Sequence, residues 1–229
     1  MSLDFKNFDF LTFDCYGTLI NWEQGILAAL RPILQVHHAK MSDDEILALY
    51  GAIEPPLQDP YRRYHEVLRQ VVHEFGKWNG FVATEEEMNS LPNSLKSWQP
   101  YPDTVAALQR LKTKYKLVIL SNIDDHLFED SAKLLEVRFD AVITAEQVKS
   151  YKPDRAHFLE MLHRCRTTPD RVLHAGQSVY HDVVPAKALG IKTVWVHRTP
   201  GHGATKAAQA QPDLEVASLK ALADLAMQS

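Results

Sequence analysis

From about residue 100 onward, short apolar runs alternate with stretches of helical length. Leu117–Leu120 is a four-residue apolar run closed by Ser121 and Asn122. Ala141–Ile143, Arg171–Leu173 leading into Gly176, and Thr193–Val196 repeat the pattern, and Phe8–Phe13 supplies an earlier run ended by Asp14. Around them lie segments 103–114, 126–136, 155–165 and 182–189. In the first of these, Val105, Leu108 and Leu111 recur at helical spacing with Ala106 and Ala107 beside them. Strands alternating with helices predict a parallel sheet covered on both faces. Leu214–Val216 adds a last edge strand, and Ser218 is placed to cap a terminal helix.

Residues 22–94 follow a different pattern. Trp22–Val36, Asp43–Tyr50, Tyr61–Phe75 and Thr84–Leu91 read as helices, with no buried strand among them. Pro55, Pro56 and Pro60 divide this region in two, and Pro92, Pro100 and Pro102 mark the return to alternating strands and helices. The expected organisation is an α/β core of residues 1–21 and 95–229, with a helical cap of residues 22–94 inserted after the first strand. The Gly- and Ala-rich segment Gly201–Gln211 reads as a loop.

Composition narrows the classes. A chain of 229 residues that is 45% hydrophobic suffices for one large domain, or for one domain carrying an insertion. A net charge of −4 gives no basic excess for nucleic acid. The 2 cysteines, Cys15 and Cys165, suggest neither a metal site nor a disulfide framework, and Cys15 reads as a small buried thiol. No apolar run approaches the ~18 residues of a membrane span. The start, Met1-Ser2-Leu3-Asp4, lacks the basic and apolar regions of a signal peptide. A cytoplasmic protein with no membrane or nucleic-acid partner is expected.

Asp14, Ser121 and the Gly176–Asp182 segment each follow an apolar run. A parallel sheet collects such positions at its carboxyl edge, where ligands bind. Lys152, in the loop after the 141–143 strand, reaches the same edge. A carboxylate at a strand tip can serve as a covalent nucleophile. Gly17 allows a tight turn beside it, and backbone N–H groups there can hold an anion. Lys152 would keep Asp14 ionised by charge pairing. Thr18, Ser121 and Asn122 offer hydrogen bonds to Asp14 or to substrate. His174 and His181 are either structural histidines or a second base. Tyr16, Trp22 and Trp98 are candidates to wall an apolar pocket between cap and core.

Asp14-Cys15-Tyr16-Gly17-Thr18-Leu19 resembles the first motif of the haloacid dehalogenase superfamily. Ser121-Asn122 resembles the second, Lys152-Pro153 the third and the stretch ending in Asp182 the fourth, in the same order. The resemblance spans residues 8–196 and implies a Rossmann-like, three-layer core with the helical insertion as its cap.

Most superfamily members are Mg²⁺-dependent and transfer phosphoryl groups. They carry a second Asp two positions after the nucleophile and an acidic residue after the motif-four glycine. Here those positions are Tyr16 and Gln177. Loss of both weakens a Mg²⁺ site and removes the acid that protonates an alkoxide leaving group. A halide leaves without a proton. Asp-x-Tyr-Gly-Thr is similar to the 2-haloacid dehalogenases, which implies a cofactor-free enzyme converting small 2-haloacids to 2-hydroxy acids.

The resemblance assigns Asp14 to attack C2, and Asp182 with Lys152 to position or activate the hydrolytic water. Thr18 joins the catalytic set. Backbone N–H groups of Cys15 and Tyr16 would hold the substrate carboxylate or the oxyanion, with Ser121, Asn122, Gln177 and Ser178 as further substrate contacts. Related enzymes are often homodimers.

Three positions depart from the dehalogenase pattern. No cap arginine stands near Ala48-Leu49-Tyr50-Gly51-Ala52, which leaves Arg62 and Arg63 as candidate halide ligands. Phe158 replaces a tyrosine and Val179 an asparagine. These changes leave the substrate open. Two other readings stay beside the dehalogenase: a Mg²⁺-dependent phosphatase of small phosphate esters, and a catalytically silent binding protein.

Overall fold

A computed structural model describes residues 3–198 and 208–228. The expected loop from Gly201 lies outside the described residues as far as Ala207. The chain runs β1 (Phe10–Phe13), α1 (Trp22–Val36), α2 (Asp43–Leu57), α3 (Tyr64–Asn79), α4 (Glu85–Ser94), α5 (Thr104–Lys112), β2 (Lys116–Ser121) and α6 (Asp125–Leu134). It continues through β3 (Ala141–Thr144), α7 (Ala145–Val148), α8 (Ala156–Cys165), β4 (Val172–Gly176), α9 (Val184–Ala188), β5 (Lys192–Val196), β6 (Leu214–Val216) and α10 (Leu219–Gln228).

The strands form one six-stranded sheet in the order β3-β2-β1-β4-β5-β6, and every pairing is parallel. The fold is the α/β, Rossmann-like class expected. Alternation along the strands supplies both buried faces. Leu11, Phe13, Leu117, Ile119, Leu173 and Val194 belong to one apolar cluster, whereas Phe10, Val118, Leu120 and Val172 belong to the other. The larger cluster runs without a break into α1–α4 through Ile26, Leu30, Leu68 and Phe75. Strand β6 lies at the sheet edge as expected, and the Ser218 hydroxyl accepts the Ala221 N–H at 3.1 Å to cap α10.

Strand β1 sits between β2 and β4, so successive connections depart to opposite sides of it. That reversal opens a crevice beyond its carboxyl end. Asp14 is the first residue past that end.

Between residues 22 and 94 the regular elements are the four helices α1–α4. Two boundaries differ from expectation. Helix α2 continues to Leu57, because Pro55 and Pro56 fall in its last turn and deprive only the Gly51 and Ala52 carbonyls of an intrahelical donor. Helix α3 starts at Tyr64, not Tyr61, because its cap comes from elsewhere in the chain. Arg63 gives no side-chain cap, and the carboxylate of buried Asp124 accepts the Tyr64 and His65 N–H groups, each at 2.9 Å. Asp124 itself precedes α6, whose first N–H is taken by Glu146 at 3.0 Å. Two further contacts join the same seam: the Tyr151 hydroxyl donates to the Arg62 carbonyl at 2.7 Å, and Arg63 pairs with Glu146.

Because Asp124 satisfies two helix-end donors away from water, Asp124→Ala is expected to cost about 2 kcal/mol. A thermal melt would show Tm lower by about 4–8 °C. Asp124→Asn, which keeps one acceptor, should lose less.

Candidate active site

The turn after β1 is built by its backbone. Asp14 N–H donates to the Ala175 carbonyl at 3.1 Å, which continues the pairing with β4. The Leu19 and Ile20 N–H groups then both reach the Cys15 carbonyl, at 2.7 and 3.0 Å. Gly17 sits at φ +101°, a conformation that favours glycine. The turn delivers the Thr18 hydroxyl to Asp14 Oδ2 at 2.8 Å, and Thr18 Oγ1 accepts the Gln177 N–H at 2.9 Å. Arg198 braces the loop by donating to the Thr18 carbonyl at 2.9 Å and to Asp103 at 2.7 Å.

Lys152 Nζ lies 2.9 Å from Asp14 Oδ1, 2.7 Å from Asp182 Oδ1 and 2.8 Å from the Leu120 carbonyl. Its side chain is 1% exposed, so the ammonium is effectively removed from water. The cluster of two carboxylates and one ammonium carries one net negative charge. Burial raises the Asp14 carboxyl, and the neighbouring Asp182 charge adds to this, more than Lys152 and Thr18 lower it. At Asp182 burial also raises the carboxyl, but Lys152 and His174 outweigh it and hold the group below its ordinary range. Lys152 feels burial in the opposite sense, and the two carboxylates more than compensate, so its ammonium persists.

Asp182 reaches this position from the π-helical turn Val179–Val183. Its Oδ2 accepts the Ser178 N–H at 3.3 Å. A Cβ on Gly176 would collide with the Asp182 carboxyl, so only glycine admits the close approach. Behind it, His174 Nε2 is 3.4 Å from Asp182 Oδ1 while Nδ1 meets the Thr12 hydroxyl at 2.8 Å.

A cavity of about 680 Å³ opens over this cluster. The structure brings Asp14, Tyr16, Ser121, Asn122, Lys152, Gln177, Ser178 and Asp182 to its wall, together with Trp22 and Trp98. Cys15 and Thr18 lie beneath it, fully buried, and burial pushes the Cys15 thiol well above its usual range. Arg62 and Arg63 are not brought there: both are exposed, and Arg63 is turned to Glu146. Tyr16 faces the cavity with its hydroxyl 2.7 Å from Ser131 Oγ and its ring edge-on to Trp98 at 5.9 Å. Asn122 uses both ends of its amide on the Lys152 backbone, at 2.7 and 3.1 Å, which places it as a support for the lysine. Ser121 Oγ is buried with no hydrogen-bond partner among the described residues.

The wall also contains side chains that the sequence reading missed. Tyr50 and Glu54 of α2 and Gln58, which caps its end, recur every four residues and so lie on one face. That spacing was a usable signal, obscured by the prolines beside it. The Tyr50 and Tyr64 hydroxyls are 3.0 Å apart, and Glu54 accepts hydrogen bonds from Tyr64 and Gln58. Burial pushes the Glu54 carboxyl up to about 7 against the pull of those bonds.

The sequence profile of the haloacid dehalogenase-like hydrolase family matches residues 11–196. The (S)-2-haloacid dehalogenase H-109 of Pseudomonas putida is 27% identical over 202 residues, covering 82% of this chain and 85% of the relative. The pyrophosphatase PpaX of Bacillus pumilus (strain SAFR-032) is 25% identical over 193 residues, covering 80% and 81%. Among solved structures, the L-2-haloacid dehalogenase PA0810 superposes with a TM-score of 0.83 at 23% identity, over 97% of this chain and 100% of that one. This last likeness speaks for the fold.

Glu54 generates a pH-dependent stability. The folded carboxyl keeps its proton to about 7, while the unfolded one loses it near its ordinary 4.5. Between those values the folded state binds more protons, so this group's contribution falls as pH rises through that window. Allowing for its partial exposure, ~1 kcal/mol is at stake. Glu54→Gln should therefore melt about 2–4 °C above the parent at pH 8, with no gain at pH 4.5.

Proposed function

The chain belongs to the haloacid dehalogenase-like hydrolase family, and from that premise we propose that it hydrolyses the carbon–halogen bond of small 2-haloacids, with Asp14 as covalent nucleophile and no metal ion. The observation that carries this reading is the state of the two carboxylates. All four oxygens of Asp14 and Asp182 already accept from Lys152, Thr18 or Ser178. Mg²⁺ placed there would meet the Lys152 ammonium and would want further carboxylate ligands. The positions from which related phosphatases supply them hold Tyr16, engaged by Ser131, and Gln177. Among the described residues no three His, Cys, Asp or Glu side chains gather as a metal-binding group. The donor set therefore does not fit Mg²⁺, and no step here uses one.

In the first step an Asp14 carboxylate oxygen forms a bond to C2 from the side opposite the halogen. The carbon–halogen bond breaks, the halide departs with the bonding pair, and an ester remains on Asp14. Lys152 and Thr18 aim the carboxylate, and its raised basicity favours attack. Backbone N–H groups of Cys15 and Tyr16 hold the substrate carboxylate. In the second step water adds to the Asp14 carbonyl carbon as one of its protons passes to Asp182, the ester bond breaks, and the departing alkoxide takes that proton to leave as the 2-hydroxy acid, with Asp14 regenerated as a carboxylate. Asp182, held ionised by Lys152 and His174, orients that water. Residues 22–94 act as the cap over a core of residues 1–21 and 95–229, with Trp22 and Tyr50 closing the cavity from the cap side.

The test is halide release from 2-chloropropionate in the presence of EDTA. Parent protein should release halide, and Asp14→Asn should lose at least about a thousandfold in rate. Absence of halide from any short 2-haloacid, with turnover of p-nitrophenyl phosphate that rises on adding Mg²⁺, would replace this reading with a phosphatase.

A further inference from the structure

The cavity is rich in carboxylic acids, and no arginine is among the described residues that line it. Among the described residues five carboxylic acids line it (Asp14, Glu54, Asp59, Asp154 and Asp182) against two lysines. Lys152 is committed to Asp14 and Asp182, and Lys149 lies over the Tyr61 ring, 5.5 Å from its centre. An anionic substituent here would face carboxylates, and a purely apolar one would offer the half-buried Glu54 no opposite charge.

Glu54 is set among aromatic groups. Trp22 packs on Tyr50 at 5.6 Å between ring centres, and Tyr61 and Tyr64 pack on Tyr151 at 5.6 and 6.1 Å. The linked Tyr50 and Tyr64 hydroxyls stand beside the carboxyl. A carboxylate neutralises an ammonium, phenol oxygens accept its N–H bonds, and ring faces attract the cation. Lys149 over Tyr61 already makes one such contact in the same wall.

We infer that Glu54 is a specificity-determining residue, recognising a primary ammonium carried on the substrate chain away from the carbon that Asp14 attacks. The inference rests on the reading of this cavity as the substrate site, and adds to its small 2-haloacid substrates a preference for those bearing a terminal amine. Binding then couples to a proton. Below about pH 7 the free Glu54 is largely protonated, and an arriving ammonium drives that proton off. Tyr50 of α2, Gln58 just past its end, Tyr64 of α3 and Tyr151 of the loop before α8 face the carboxyl; Asp59, Lys149, Asp154 and His181 are the other acidic and basic side chains that line the cavity outside the Asp14 cluster.

The test is calorimetric titration with n-butylammonium and with 1-pentanol, a neutral probe of similar length. At pH 8 the parent should bind the cation about tenfold more tightly. At pH 6, buffers of different ionisation enthalpy should reveal proton release with the cation alone. Glu54→Gln should lose both the preference and the proton release, whereas Asp14→Asn should keep both. Equal binding of the two probes, or unchanged preference and proton release in Glu54→Gln, overturns the inference. Halide assays with 6-amino-2-chlorohexanoate and 2-chloroheptanoate separate the two proposals. Cation preference without halide from either acid or from 2-chloropropionate supports the Glu54 assignment and rejects dehalogenation. Halide from both at equal kcat/KM rejects the Glu54 assignment alone.

Discussion

The ammonium of Lys152 lies between the carboxylates of Asp14 and Asp182, all three drawn away from water. None of these charges is tolerable there by itself, since an uncompensated buried charge costs several kcal/mol, about 3–5 when one partner of a pair is removed. Each therefore needs the others in place. The fold supplies them from three separate segments: the end of β1, the loop before α8 and the π-helical turn after β4. Much of the surrounding detail serves that convergence. Asn122 pins the Lys152 backbone, Thr18 fixes the second oxygen of Asp14, and glycine at 176 leaves space for the Asp182 carboxyl. The two carboxyls are left unequal, one raised and one lowered, which suits a nucleophile paired with a fixed hydrogen-bond acceptor.

The helices of residues 22–94 complete the cavity that this cluster faces. Their contact with the sheet is partly apolar, through a continuous cluster, and partly polar, through Asp124 at the start of α3. Asp124 directly follows the Ser121–Ile123 stretch at the end of β2, so the placement of α3 is tied to the same sheet edge as the Asp14–Lys152–Asp182 cluster. Tyr64, whose N–H Asp124 accepts, also bonds Glu54 and Tyr50. One short path of contacts thus links sheet edge, helix start and cavity wall.

The core and its chemical residues were legible because each strand is a short apolar run that ends on a polar residue. Asp14, Ser121 and the segment from Gly176 to Asp182 could be put on one edge from that pattern alone. The helical segment gave up less. Its prolines read as breaks, whereas Pro55 and Pro56 sit in the last turn of α2, where few hydrogen bonds are lost. The start of α3 was misplaced because its capping group is sixty residues away in sequence, beyond any local rule. Arg62 and Arg63 carry the right charge for a halide, but both are exposed just before α3, and the cavity wall holds Glu54 instead. The support that Asn122 gives the Lys152 backbone is not legible in sequence, because side-chain partners across a fold leave no mark in spacing.

The central claim is that an oxygen of Asp14 becomes bonded to substrate carbon. Single turnover in ¹⁸O-water with enzyme in excess over 2-chloropropionate, followed by mass spectrometry of the peptide containing Asp14, reads this directly. The account predicts that ¹⁸O enters the Asp14 carboxylate while the released 2-hydroxy acid carries an unlabelled oxygen drawn from the enzyme. Label in the hydroxy acid with none in Asp14 would mean that water attacked the substrate itself, and the covalent role of Asp14 would be wrong.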